Sequence, residues 1–242
     1  MLKKLKTVYE KEQFHPGWLG LFINPFYFAR KELAQNIASM ARHMGRKILD
    51  VGCGQKPYAF LFDSSAYVGL EFDTSANRAK GVADVYYDGG GFPFPAQEFD
   101  AVICSQVLEH VFNPGEFLTE VHRVLRDGGK LLLTVPFVWD EHEQPYDFAR
   151  YSSFGIKYLL EQHGLDIIEH KKTLADVRVL FQLANAYFYK WLVGGNSYWN
   201  LLATLVFMAP VNLLGALVYK VLPRNDDLYL DNVVLARKRK PE

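Results

Sequence analysis

From Lys47 onward the chain alternates short apolar runs with segments of helical periodicity, and that alternation restricts it to a few folds. Lys47–Val51 is apolar after Lys47 apart from Asp50, the pattern of a strand covered on both faces. Tyr67–Phe72, Ala101–Cys104, Leu131–Val135, Leu165–His170 and Asn232–Arg237 supply further strands. Between them, "PGEFLTEVHRVLRDGG" places Phe117, Leu118, Val121, Val124 and Leu125 on one helical face, with Gly128-Gly129 as the stop. Ser152 is positioned to cap a helix bearing Ile156, Leu159 and Leu160 and closed by Gly164, and residues 26–44 predict a lead-in helix. Strands alternating with helices predict a mostly parallel sheet with helices on both faces. Ligands of such a sheet bind at the carboxyl ends of its strands.

Asp50-x-Gly52-x-Gly54 falls at one of those ends, in "KILDVGCGQKPY". The glycines let backbone N–H groups approach a ligand, and a helix N-terminus beyond them favours partial negative charge. A dinucleotide site would place a third glycine where this chain has Pro57, and its anionic pyrophosphate gains nothing from a preceding carboxylate. Asp50 suits a ligand with an ammonium or sulfonium nearby. Glu71, at the end of the next strand, can accept two hydrogen bonds from a ribose diol. Asp88, before "GGGFPF", can accept from an adenine amino group.

With "FDAVICSQVLEHV" and "EVHRVLRDGGKLLLTVP", this ordered set resembles the class I S-adenosylmethionine-dependent methyltransferases of the small-molecule branch, over roughly Lys47 to Phe137. The resemblance implies a Rossmann-like α/β fold with a seven-stranded sheet and S-adenosyl-L-methionine as cofactor. It assigns Asp50, Gly52 and Gly54 to the methionine end, Glu71 to the ribose, Asp88 to the adenine, and Ser105 and Gln106 to the region of the sulfonium. Lys56 stands where the family often carries a third glycine. Asp100 is read as orienting its strand, and Glu109 and His110 as typical of the family's helix start.

"WDEHEQPYDFARYSS" follows the strand Leu131–Val135 and opens toward the same edge. It resembles the "HEQPYD…RY" loop of methyltransferase-like proteins encoded with bacterial surface-polysaccharide enzymes. His142 is the expected general base, oriented by Glu143 or Asp147, with Arg150 holding an anionic or sugar group. Two other readings compete. His142, Glu143 and Asp147 could ligate a divalent metal, although their spacing matches no metal motif and no metal is assigned. Alternatively the loop is a self-satisfied lid with Arg150 paired to Asp147 and Tyr151 packed.

A formal net charge of zero argues against a nucleic-acid footprint. Cys53 and Cys104 build neither a disulfide framework nor a zinc spacing, which fits a reducing cytoplasm, and His15-Pro16-Gly17 breaks any leader-like run. The expected divisions are a lead-in at 1–46, the catalytic domain at 47–173 plus 231–240, and a hydrophobic helical insertion at 174–230. Within the insertion, Val177, Leu180, Phe181, Ala184, Tyr187, Phe188 and Trp191 share one helical face, and Arg178, Gln182 and Asn185 lie elsewhere. Trp191 to Tyr219 carries no charge. The chain must return to add its last strand, and Pro210 and Asn212 interrupt the run. A shallow or re-entrant hairpin at the inner membrane face therefore fits better than a span. A buried cap or a dimer interface would also be apolar. The expected function is methyl transfer to a small or lipid-linked acceptor, with a saccharide in view. The alternative is a non-catalytic membrane-docked module that kept the fold.

Overall fold

The computed structural model describes residues 2–240. The chain forms two compact units. The sheet unit comprises Asn36–Phe137, Glu141–Lys171 and Asp231–Glu242; the helical unit comprises Met1–Gln35, Val138–Asp140 and Lys172–Leu230.

In the sheet unit, β1 (Lys47–Val51), β2 (Ala66–Phe72), β3 (Val85–Tyr87), β4 (Phe99–Ser105), β5 (Leu125–Pro136), β6 (Leu165–Lys172) and β7 (Asp231–Lys238) form one sheet, in the order β3-β2-β1-β4-β5-β7-β6. The pairs β1–β2, β1–β4, β2–β3 and β4–β5 are parallel, whereas β7 runs antiparallel to β5, from Lys130 opposite Arg237 to Pro136 opposite Asp231. The crossovers carry α4 (Ser75–Lys80), α5 (Pro114–Val124) and α6 (Ser153–Gln162). Leu49, Val51, Val102, Cys104, Leu131 and Leu133 pack with Leu118, Val121, Ile156 and Leu160 into one dry core, the Rossmann-like arrangement expected. Ser152 caps α6 through a hydrogen bond from Gly155 N.

One local reading in this unit is corrected. Gly128-Gly129 does not stop α5: that helix ends at Val124 and the chain passes directly into β5. The glycines serve an irregularity inside the strand, where Phe99 faces Leu125 but Ala101 faces Lys130. Gly128 has φ +74°, and a Cβ on Gly129 would lie 2.8 Å from Arg126 O and 3.0 Å from Asp100 O. Strand pairing thus outweighs the local helix-stop signal. β3, at three residues, is too short to announce itself by periodicity.

In the helical unit, α1 (Leu2–Phe14), α2 (Gly20–Ile23) and the start of α3 (Tyr27–Ala41) gather with α7 (Arg178–Leu192) and a helix running Ser197–Val218. The latter consists of α8 (Ser197–Ala203), a π-turn (Thr204–Met208) and α9 (Ala209–Val218). Pro210 and Asn212 do not interrupt it; the π-turn precedes Pro210 and gives the backbone room for its ring.

The orientation of α7 reverses the expectation. Gln182 and Asn185 are fully buried, while Leu180, Tyr187 and Trp191 are 53%, 73% and 74% exposed. The cause is a polar interior. Gln182 accepts from Ala29 N and donates to Pro25 O. Asn185 donates to Asn212 Oδ1 at 2.8 Å, and Asn212 donates to Leu21 O and Asn24 O. These amides satisfy backbone carbonyls at the ends of short helices, which apolar residues could not do.

Candidate active site

The sheet order places the carboxyl ends of β3, β2, β1 and β4 side by side. At strand spacing this is a row roughly 15 Å long. Along it stand Asp88, Glu71, Asp50 with Gly52 and Gly54, and Ser105 with Gln106. Strand order reverses between β1 and β4, where a doubly wound sheet opens its crevice.

Asp50 is 6% exposed and accepts from Tyr67 Oη at 2.7 Å. Burial pushes its carboxyl up to about 7, against the opposing effects of the Tyr67 hydrogen bond and Lys56. Gly52 has φ +67°, and a Cβ there would lie 2.3 Å from Val107 Cγ2. Gly54 has φ +49° and open space where a Cβ would project. Its N–H donates to Glu71 Oε2 at 2.8 Å, fixing that carboxylate across the turn. Phe72 N also donates to Glu71, at 3.0 Å. Asp88 is exposed and accepts from Gly90 N.

Ser105 Oγ lies 3.0 Å from Thr134 Oγ1, and Gln106, at φ +57°, donates to Thr134 and Asp231. Lys56 occupies a left-handed position at φ +52°; its ammonium pairs with Asp84 at 2.5 Å. Asp100 accepts from Arg46 N and Lys47 N and pairs with Arg126, tying strand starts together. Both cysteines are buried, and burial pushes the Cys53 thiol up to about 12, so neither is poised as a nucleophile.

Residues 141–151 fold back onto the 3-10 turn Leu108–His110. Phe148 N and Ala149 N both donate to Glu109 O, and Tyr151 N donates to Pro136 O. Asp147 accepts from His142 N at 2.9 Å and lies 3.3 Å from His142 Nδ1. Its two oxygens also take a bidentate pair from Arg150 at 2.5 and 2.7 Å. That guanidinium holds the Asp147 carboxyl well below the usual range. Asp147, rather than Glu143, thus contacts His142; Glu143 is exposed at φ +50°, its carbonyl accepting from Tyr146 N. The Arg150–Asp147 pair and a Tyr151 ring packed on the core are the contacts foreseen for a self-satisfied lid.

The sequence left Glu109 without a role, yet its carboxylate is buried without compensation. It is fully buried, and neither carboxylate oxygen has a hydrogen-bond partner. Burial pushes it up to about 8. His110 stacks edge-on against His142, with ring centres 4.7 Å apart. A cleft of about 630 Å³ is lined by His110, Tyr146 and Phe148 on one side and by Phe72, Tyr87 and Gly89–Gly91 on another. Of the N-terminal aromatics, Phe26 packs on Trp139 and Tyr189 and Tyr27 on Phe28, all within the helical unit, while Trp18 is exposed.

The model of a family described as "Methyltransferase domain" matches residues 26–170. A "Probable S-adenosylmethionine-dependent methyltransferase" of Mycolicibacterium smegmatis is 34% identical over 125 residues, 48% of this chain and 48% of that protein. A fatty-acid O-methyltransferase of the same organism is 33% identical over 115 residues, 43% of this chain and 42% of that one. The chain thus spans about half the length of the curated relatives it matches. Phosphoethanolamine N-methyltransferase 2 of Haemonchus contortus, solved with S-adenosyl-L-methionine, aligns with TM-score 0.54 and 19% identity over 95% of this chain and 59% of that one, a likeness of fold. The family match covers more than half of the sequence and lies over the strands that carry the acidic row, so this chain belongs to the methyltransferase domain family.

Proposed function

We propose that the chain transfers the methyl group of S-adenosylmethionine to a small acceptor that is lipid-linked or otherwise presented at a membrane surface. The observation that carries the reaction is the row Asp88, Glu71, Asp50 along adjacent strand ends. The residues fit the cofactor. Asp50 is a buried carboxylate that a nearby cationic group would return to its ionised state. The missing Cβ of Gly54 leaves room beside a Glu71 carboxylate already turned by the Gly54 N–H.

The bound cofactor supplies an activated methyl group on a sulfonium, so the protein's task is alignment and exclusion of water. Glu71 would hold the ribose hydroxyls, Asp88 the adenine amino group, and Asp50 with the Gly52–Gly54 backbone the methionine end. Ser105 and Gln106, fastened to Thr134, would form the wall next to the reacting carbon. His142, held by Asp147, would be the group on the acceptor side.

The lipid-linked acceptor is supported by the helical unit, whose charge-free helix turns its leucines outward. The name of the fatty-acid O-methyltransferase relative agrees with an apolar acceptor. Cofactor binding is tested by calorimetry with S-adenosylhomocysteine: Glu71→Ala should weaken it about ten- to a hundred-fold. Unchanged affinity would remove the cofactor assignment. Acceptor screening with methyl-labelled S-adenosylmethionine should label a lipid-extractable product. Loss of that label in His142→Ala, with cofactor affinity intact, would place His142 on the acceptor side.

A further inference from the structure

Two adjacent donors at the turn Leu108–His110 meet a third from a loop more than thirty positions away. One ligand atom each from Glu109, His110 and His142 lies within 4.8 Å of the others. Both imidazoles are turned by a second partner. His110 Nδ1 is 2.7 Å from Tyr146 O, and since a carbonyl can only accept, that nitrogen carries the proton. His110 Nε2 therefore keeps its lone pair, 4.0 Å from Glu109 Oε1. His142 Nδ1 lies 3.3 Å from Asp147 Oδ2, which orients the second imidazole. Ligating histidines are held in this way, with the second nitrogen donating to a carbonyl or carboxylate.

An independent observation is the state of Glu109. It is fully buried and neither oxygen has a hydrogen-bond partner. A buried carboxylate left in this condition lacks a cation or a donor. The loop tethers explain why the meeting is persistent: Phe148 N and Ala149 N bond to Glu109 O, so the segment bearing His142 is pinned to the residue that supplies the carboxylate.

We propose that Glu109, His110 and His142 bind one divalent transition-metal ion. Two imidazoles and one carboxylate suit zinc, iron, cobalt or manganese better than magnesium or calcium, which take oxygen sets. Metal–nitrogen bonds of about 2.0–2.1 Å require the donors to close by an ångström or so, within reach of the His142 side chain on its loop. Three protein ligands leave coordination positions open, and His110 also lines the 630 Å³ cleft. An acceptor oxygen entering by that cleft could take such a position, which would make His142 a ligand rather than a free base. That last step rests on the proposed methyl transfer; the binding of the ion does not. The trio differs from the set the sequence suggested, because Asp147 is engaged by Arg150 and Glu143 is exposed.

The test uses the full chain stripped of metal, without cofactor or acceptor, titrated with Co²⁺ alone and followed by visible absorption and equilibrium dialysis. One equivalent should bind, with ligand-field bands that Zn²⁺ displaces. His142→Ala, on the loop, and the near-isosteric Glu109→Gln should each weaken binding at least ten-fold, while Glu143→Ala should bind as wild type. Thermal melts identify any variant that has lost its fold, and the His142 variant then decides. Binding of less than a fifth of an equivalent, or binding unaffected by His142→Ala, would overturn the site. Because no methyl donor is present, either result leaves the methyltransferase assignment to stand or fall on its own experiment.

Discussion

Asp50 shows how one residue can be legible in role and illegible in energetics. The sequence placed a carboxylate before two glycines and implied a cationic ligand beside it. It gave no sign that Tyr67 would be the hydrogen-bond partner or that burial would dominate. The consequence is a pH dependence with a defined sign. The carboxyl of Asp50 is raised in the folded chain, from the unfolded value near 4 to about 7. The folded state therefore binds more protons in that window, and the Asp50 contribution to stability falls as pH rises from about 4 to 7, then levels. Cofactor binding has the opposite trend, because a cationic ligand group selects the ionised carboxylate. Affinity for S-adenosylhomocysteine should rise toward pH 7, by up to about ten-fold per pH unit, and flatten above it. Calorimetry of wild type and Asp50→Asn in parallel checks this. The variant should lose that rise, and identical profiles would mean that Asp50 does not face the ligand's charge. Glu109 was less legible still, since its burial and its meeting with His142 depend on a loop more than thirty positions away.

At the scale of elements, the central strands were readable because continuous apolar runs have few other uses. The failures came where a local pattern has two meanings. Gly128-Gly129 looks like a helix stop and serves a strand irregularity; Gln182 and Asn185 look like a solvated face and form the interior of the helical unit. Periodicity reports that a helix has two faces, but not which one turns inward. The inverted polarity makes a test available within one helix. Asn212→Leu is the more apolar variant, yet it should destabilise the helical unit. It strips donors from Leu21 O and Asn24 O and a partner from Asn185, at about 1–3 kcal/mol for each group left unpaired. Leu214→Asn, at a 53% exposed position two residues on, should change stability in water by no more than about 0.5 kcal/mol. Denaturant midpoints for the two variants should therefore rank opposite to their hydrophobicity. Equal midpoints would show that the amide network contributes little.

For the molecule as a whole, the question is what covers the outward face of the helical unit. Ser197–Val218 is 22 residues long, and one third of its apolar window is buried. By length and composition it could cross a membrane, but its partly buried stripe, through Ala203, Thr204, Met208, Asn212 and Gly215, is committed to its own unit. Leu202, Leu205, Val206, Phe207, Leu214 and Leu217 are left to the surroundings. Such a patch exceeds what single exposed apolar residues explain. Trp191, Tyr198 and Trp199 at one turn, and Tyr219 and Lys220 at the other end of the hairpin, are residue types that settle at a lipid headgroup boundary. We therefore expect the full chain to float with phosphatidylcholine vesicles. Leu205→Lys with Leu214→Lys should release it, at about 2.5–3.5 kcal/mol per site if the side chains reach the bilayer centre and less if the helix lies shallow. Release should leave S-adenosylhomocysteine affinity close to wild type. A wild-type chain that ignores vesicles and runs as a dimer, dissociated by the same two lysines, would assign the face to a second copy. A soluble monomer indifferent to vesicles would contradict both, and would leave the lipid-linked acceptor without structural support.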